Sequence, residues 1–341
     1  MIDAYDRPFP KRTTRTSVSD EICVIIAAYN SSGTVARAVR SALVQPEVVE
    51  VVLVDDASTD ATLEAARSAD DGSGRLSLLA QGRNQGPAAA RNFAIANSRA
   101  PSIAILDADD FFLEGRFAAL LGEDENWDGI ADNVLFVREA TVGRAAALTS
   151  GGSTEGEPLD FSRFVRGNIS RPGRYRGELG FLKPVISRAF LERHGLAYDE
   201  RLRLGEDLDL YARMLACGAR MGMTEACFYI AVERDDSISA KHDAGDLERL
   251  LAAVKRLEPA APEFGREALE DLRSNLAARY HHRQFLLDKK TSGLSAAVGQ
   301  AMHSPRRLLD AARGIARDKW NGRKRWVDAG PRLLVPASEW Q

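Results

Sequence analysis

The chain has 341 residues, enough for one large domain with additions or for two domains. Its 45% hydrophobic and 28% charged residues are an ordinary soluble balance, and a net charge of −3 argues against a globally basic, nucleic-acid-binding surface. Three cysteines without a C-x-x-C pair fit a reducing compartment, no apolar run is long enough for a membrane helix, and residues 1–21 hold no apolar stretch resembling a secretory signal. A cytoplasmic protein is expected, with contact to a membrane surface left open.

Residues 1–20, rich in Arg, Thr and Ser, read as a flexible leader. Ile22 to Ala28 is a continuous apolar run, the pattern of a strand buried on both faces, with Cys23 as a small core residue. Tyr29-Asn30-Ser31-Ser32-Gly33 breaks it, and Val35, Ala38, Val39, Ala42 and Leu43 give residues 34–45 helical spacing. Val48 to Val54 is a second buried strand, after which Ser58 or Thr59 is expected to cap a helix over 60–69. Leu76 to Ala80 is a third strand, followed by the turn Gly82 to Pro87 and an alanine-rich helix over 87–98. Ile103 to Leu106 is the fourth. Four alternations of strand and helix with short loops predict an α/β fold with a mostly parallel sheet.

Polar residues gather where each strand ends: Tyr29 and Asn30, then Asp55 and Asp56, then Asn84 and Arg91, then Asp107, Asp109 and Asp110. In open α/β sheets that edge is where ligands bind. An aromatic, a carboxylate and a guanidinium on one rim suit a nucleobase, and three carboxylates within four residues repel unless neutralised. Their oxygens suit Mg2+ or Mn2+ chelated together with a phosphate. An acidic turn that caps the next helix is the competing reading. No G-x-G-x-x-G follows the first strand and no G-x-x-x-x-G-K-S/T occurs, which disfavours a dinucleotide dehydrogenase and a P-loop NTPase.

Four blocks carry a resemblance: Ile25-Ile26-Ala27-Ala28-Tyr29-Asn30, Val54 to Asp60, Asn84 to Asn92, and Leu106-Asp107-Ala108-Asp109-Asp110. In order and spacing they resemble glycosyltransferase family 2, of GT-A fold, whose members use nucleotide-sugar donors. The resemblance covers residues 20–240. It implies a donor site of Ala27, Tyr29, Asp56, Arg91, Asp107 and Asp109, with Tyr29, Asp56 and Arg91 at the nucleobase. Asp107-Ala108-Asp109 would be the D-x-D motif, Asp107 near ribose and sugar and Asp109 on the metal, the pair forming the Mn2+ or Mg2+ site. Ala27-Ala28 stands where a Pro- or Thr-containing pair is commoner, and Glu114-Gly115-Arg116 lacks the proline often found there.

Trp127 to Val137 suggests a further strand, and the Gly-, Ser-, Thr- and Arg-rich residues 141–177 read as long loops, locally basic through Arg163, Arg166, Arg171, Arg174 and Arg176. Leu182 to Ile186 and a helix over 187–194 lead to Gly205-Glu206-Asp207. Acidic residues in a first helical turn complement the macrodipole without further purpose. The pair also resembles the family's E-D motif, which implies Asp207 as catalytic base with Glu206 orienting it or the acceptor. Phe228 to Val232 reads as a strand, and Arg234 to Ser239 resembles the R-x-x-x-S-x-S tail of the catalytic domain. Asp236 and His242 are candidates to complete a metal shell, against the plainer reading of surface residues.

Residues 243–290 carry two helical patterns separated by Pro259 and Pro262. From Pro305 onward, Leu308, Leu309, Ala312, Ile315, Ala316 and Trp320 recur at helical spacing among eight basic residues, joined by Trp326. Residues 305–326 therefore suit either an interfacial membrane helix or a helix packed on the catalytic domain.

The expected organisation is a leader (1–20), a GT-A domain (21–240, its 21–120 half for the nucleotide sugar and its 121–240 half for the acceptor) and a basic helical region (241–341). The expected function is metal-dependent, inverting transfer of a sugar, glucose from UDP-glucose, to a lipid-linked oligosaccharide in exopolysaccharide assembly of succinoglycan type. A sugar-nucleotide pyrophosphorylase is the alternative within enzymes, disfavoured because no G-x-G-T-R loop occurs. A nucleotide-sugar-binding protein without turnover is the alternative outside them, disfavoured because a binder needs no base.

Overall fold

A computed structural model describes residues 17–122, 126–149, 152–170, 177–233, 243–321 and 330–340. The leader up to residue 16, Arg171, Arg174, Arg176, the Arg234–Ser239 tail with Asp235 and Asp236, His242 and Trp326 lie outside the described residues.

The first half runs β1 (Ile22–Ala28), α1 (Val35–Leu43), β2 (Val48–Asp55), α2 (Thr62–Arg67), β3 (Leu76–Ala80), α3 (Pro87–Ala96) and β4 (Ser102–Asp107). β5 (Phe111–Phe112), α4 (Arg116–Leu120) and β6 (Gly129–Arg138) follow, then α5 (Ala145–Leu148), β7 (Glu157–Pro158) and α6 (Phe161–Gly167). The chain continues through β8 (Val185–Ser187), α7 (Arg188–His194), α8 (Glu206–Ala216) and β9 (Met221–Glu233). The last elements are α9 (Ala244–Leu257), α10 (Arg266–Ala301), α11 (Pro305–Asn321) and β10 (Arg332–Leu333).

The strands form one sheet in the order β3-β2-β1-β4-β8-β6-β9-β5, with β7 on β9 and β10 on β6. β3, β2, β1 and β4 pair in parallel, as strands joined by helical crossovers must; the apolar runs of β1, β2 and β4 are largely buried on both faces, while β3, at the edge, is only half-buried. β8 is antiparallel to both β4 and β6, so it joins the parallel half to the second half. Register brings the functional edge into line: Ala28 is abreast of Asp55, and Ala27 of Asp107.

Three expectations change. Neither Ser58 nor Thr59 caps α2. Ala57 has φ +61°, which turns the chain so that the Ser58 hydroxyl meets Asp55 and accepts from the Asn30 amide at 2.8 Å. The stretch 141–177 is not all loop: α5 lies within it, and α6 buries Phe161, Phe164 and Val165 with Asp160 as its N-cap. The strand expected at 228–232 is longer, running from Met221, and it buries nearly all of its residues.

One main core spans both halves of the sheet and takes in Leu247, Leu250, Leu269, Leu272 and Leu276, so α9 and the start of α10 pack directly on the catalytic fold. α10 is kinked at Gly293, where φ is +87°. α11 docks on α10 with its acidic and small side: His281 Nδ1 lies 2.8 Å from Asp310, the buried His282 lies 3.3 Å from Asp318, and Gly314 sits where a Cβ would strike the His282 ring. Leu308 and Leu309 consequently face outward, 40% and 50% exposed.

Candidate active site

The loops after β1 and β2 are sewn together by short polar side chains. Asn30, held at φ +50°, accepts from the Thr59 amide at 2.8 Å; Ser31 donates its amide to Thr62 at 2.8 Å, and Ser32 to Asp60 at 3.1 Å. This leaves Tyr29 standing at the end of β1 with 38% of its surface open, an apolar face with a polar tip. Asp56 is buried, and its two oxygens accept from the amides of Gln85 (2.8 Å) and Gly86 (2.7 Å). Gly86 needs its φ of +94°, and Pro87 opens α3 directly after it. Asp56 therefore fixes the start of the helix that carries Arg91.

Arg91 is the hub. Although expected at the nucleobase, it is 4% exposed and committed to carboxylates: Nη2 donates to Asp107 (2.7 Å), Nη1 to Glu206 (2.9 Å) and Asp207 (3.1 Å). Its guanidinium also stacks over the Tyr198 ring, 5.3 Å from the centroid. Lys183 faces the same group from the other side, its Nζ 2.6 Å from Asp207 Oδ2 and 3.0 Å from Asp107 Oδ2. Both cations are buried, and desolvation alone would favour their neutral forms. The neighbouring carboxylates, Asp207 and Asp107 for Arg91 and Asp107 and Asp207 for Lys183, outweigh it and hold both well above the ordinary range. For Asp107 burial works the other way, raising its proton affinity, yet Lys183 and then Arg91 bring the carboxyl down to about 2.

Glu206 and Asp207 begin α8, where unpaired backbone N–H groups favour anions. Gly205 precedes them at φ +73°, in a place where a Cβ would meet Leu250 at 2.8 Å. Strand end, helix start and α3 thus place Asp107, Glu206 and Asp207 around two cations. The E-D pair and the first D-x-D aspartate, about a hundred residues apart in sequence, share one cluster.

The other two aspartates separate. Asp109 is half-buried in the turn after β4, where its own carbonyl accepts from Arg37 Nη2 at 3.1 Å. Asp110 is buried and accepts from Tyr229 Oη and the Val232 amide, both at 2.8 Å, so it ties the turn to β9 rather than capping a helix. Burial, followed by the nearby Asp109 and Asp107 charges, raises its proton affinity well above the usual carboxylate range.

Asp107 was expected on both donor and metal. Each of its oxygens accepts from a cation, Oδ1 from Arg91 and Oδ2 from Lys183. Among the described residues no group of three or more His, Cys, Asp and Glu side chains is arranged to hold an ion. Lys183 escapes sequence reading because it sits inside the apolar stretch from Phe181 to Ile186; a charge in such a run is itself the signal. Arg116 escapes it too. It is fully buried, donates to Asp132 (2.7 Å) and to the Lys183 carbonyl (2.5 Å), and lies against the rings of Phe112, Phe117 and Tyr229.

The chain is similar to known proteins. A family model described as glycosyl transferase family 2 matches residues 23–188. The chain is 47% identical over 302 residues to the succinoglycan biosynthesis protein ExoU of Rhizobium meliloti (strain 1021), covering 88% of each chain. Among solved structures, TarS 1-349 of S. aureus in complex with UDP-GlcNAc is similar with a TM-score of 0.56 at 19% identity, over 87% of this chain and 81% of that one. The mannosyltransferase PcManGT from Pyrobaculum calidifontis, in complex with GDP-Man and Mn2+, is similar with a TM-score of 0.52 at 16% identity, over 96% and 92%. Both structures are likenesses of fold.

Proposed function

This chain belongs to glycosyltransferase family 2 and is a glycosyltransferase of GT-A fold, and we propose that it moves glucose from UDP-glucose to a lipid-linked saccharide in the assembly of a succinoglycan-type exopolysaccharide. The pathway rests on the likeness to ExoU, and a uridine nucleotide on the ligand named for TarS. The observation that carries the chemistry is the convergence of Asp107 with Glu206 and Asp207 on Arg91 and Lys183.

In this reading Tyr29 stacks on the base and Asp56 sets the turn beneath it. Asp107 faces ribose and sugar. Asp207 takes the proton from the acceptor hydroxyl as that oxygen attacks the anomeric carbon, and the nucleoside diphosphate departs on the opposite side with inversion. Asp109 fits a divalent cation, Mn2+ or Mg2+, as a hard oxygen ligand alongside the donor's diphosphate. When bound, the ion would stabilise the charge growing on the leaving group. Asp107 keeps its place through Arg91 and Lys183.

One observation favours a variant of this reading. Asp207 has both oxygens held by cations, whereas the Glu206 side chain hydrogen-bonds to Arg91 alone among the described residues. Glu206 is then the base and Asp207 the group that fixes Arg91. Transfer by Asp207→Asn and Glu206→Gln decides between them: the base variant loses about a thousandfold in kcat while UDP binds as before. Activity within a few-fold of wild type in both variants rejects the site.

A further inference from the structure

Lys183 belongs to none of the motifs that mark the donor or acceptor side, yet it is the only residue besides Arg91 that hydrogen-bonds or ion-pairs with carboxylates of both among the described residues. Its ammonium is buried, 2.6 Å from Asp207 at the start of α8 and 3.0 Å from Asp107 at the end of β4. Its backbone is pinned as tightly. The Lys183 carbonyl accepts from Arg116 Nη2, and Arg116 is held in turn by Asp132, whose other oxygen accepts from the amides of Phe228 (2.7 Å) and Tyr229 (2.8 Å). A chain of fixed contacts thus runs from β9 through Asp132 and Arg116 to Lys183 and on to both carboxylates.

Stability does not by itself account for a lysine here, since an apolar side chain of similar volume serves a core as well as a buried ion pair does. What an apolar side chain cannot do is hold two anions at one spacing. Without the ammonium, Asp107 and Asp207 repel across the cleft with only Arg91 between them. We infer that Lys183 is a positioning residue of the transfer step, one ammonium that sets the donor-side carboxylate of Asp107 and the acceptor-side carboxylate of Asp207 at a fixed distance. The inference rests on the reading of Glu206-Asp207 as the acceptor-side pair, and it assigns to the stretch before β8 a role in the reaction.

The test uses the full chain and the nucleotide sugar that gives the fastest nucleotide release in a donor panel. Lys183→Met keeps length and removes charge. It should bind UDP within about threefold of wild type and transfer about a hundredfold more slowly, with the loss in kcat rather than KM. Lys183→Ala supplied with n-propylammonium should recover about tenfold over the same variant without it, and n-propanol, of equal size but uncharged, should recover nothing. An unchanged kcat in Lys183→Met, or equal recovery with amine and alcohol, overturns the inference. Should Lys183→Met fail to fold, Lys183→Met/Asp207→Asn should fold again because removing one of the two carboxylates restores the net charge of the cluster, and a double variant no more stable than the single overturns it. Asp207→Asn and Glu206→Gln run alongside: if neither loses activity the functional reading has failed, and if either does while Lys183→Met does not, only this inference has.

Discussion

Arg91 and Asp107 meet at 2.7 Å across 16 residues of sequence, and the same guanidinium reaches Glu206 and Asp207 at the start of α8. One buried cation therefore joins the end of β4 to the start of α8. Removing it strands three carboxylates beside Lys183. Arg91→Met should cost about 3–5 kcal/mol in urea unfolding and lower transfer by about a hundredfold. Arg91→Lys should recover little of either, because a single ammonium cannot reproduce the planar fork that reaches three partners. A loss under about 1 kcal/mol in Arg91→Met would mean that the cluster is not held together by this residue.

Acid should act on the same cluster. Burial raises the proton affinity of Asp107, but Lys183 and Arg91 more than offset it and bring the carboxyl down to about 2. An unfolded aspartate titrates near 4, as a rough reference, so below that pH the unfolded chain binds a proton that the folded chain refuses. The sign follows: Asp107 contributes stability fully above about pH 4, and that contribution fades as pH falls toward about 2. Urea midpoints at a series of pH values should therefore fall more steeply over that window in wild type than in Asp107→Asn. Parallel curves would remove Asp107 from the acid response.

Much of this site is legible in sequence, and what is hidden has a physical reason. The strand ends at Ala28, Asp55 and Asp107 are visible because runs buried on both faces end abruptly in polar residues, and register brings them abreast. The direction of Arg91 is not legible, since its turn inward depends on α8, over a hundred residues away, supplying Glu206 and Asp207. Lys183 is hidden by its apolar neighbours, and Asp110 by its two companions: three adjacent acids look alike until Tyr229 claims one of them. Ser58 misleads because a cap residue next to a left-handed Ala57 turns toward the neighbouring loop.

The turn after β3 gives a prediction about donor binding. Asp56 accepts from the Gln85 and Gly86 amides, and Gly86 holds φ +94°. Asp56→Ala leaves those amides without their acceptor, a cost of about 1–3 kcal/mol each where water cannot replace it. Gly86→Ala should cost about 1–2 kcal/mol through the backbone alone, since the nearest atoms to its Cβ, on Arg203, stand at a comfortable 3.6 Å. Both variants disturb the start of α3. UDP titration calorimetry should show about tenfold weaker binding in each, and affinity at the wild-type level would separate this turn from the nucleotide site.

Asp109 separates the metal question from the charge cluster. In the proposed reading Asp109 is a D-x-D carboxylate that meets an ion on the diphosphate. Asp109→Ala should weaken UDP binding about tenfold in Mn2+ or Mg2+ and leave binding in EDTA unchanged. An equal loss in both buffers would make Asp109 a direct nucleotide contact. Asp110→Asn, by contrast, should show the same ion dependence as wild type, because its oxygens face Tyr229 and Val232.

The outward face of α11 gives the last prediction. The helix meets α10 through Asp310, Ala311, Gly314 and Asp318, and Arg306 donates to Ser274 of α10 at 3.0 Å, which leaves Leu308 and Leu309 exposed beside the exposed Arg307 and Arg313. Among the described residues no helix is long and apolar enough to cross a membrane. Two leucines ringed by arginines suit an anionic bilayer, where each buried leucine is worth about 1.5–3 kcal/mol and each surface cation about 1 kcal/mol. Leu308→Glu/Leu309→Glu should reduce cosedimentation with phosphatidylglycerol vesicles by about tenfold or more, leaving transfer to a soluble acceptor intact. Arg307→Ala/Arg313→Ala should weaken binding in low salt more than in high salt, since screening has already removed their contribution there. Vesicle binding that ignores all four side chains would assign α11 to packing alone.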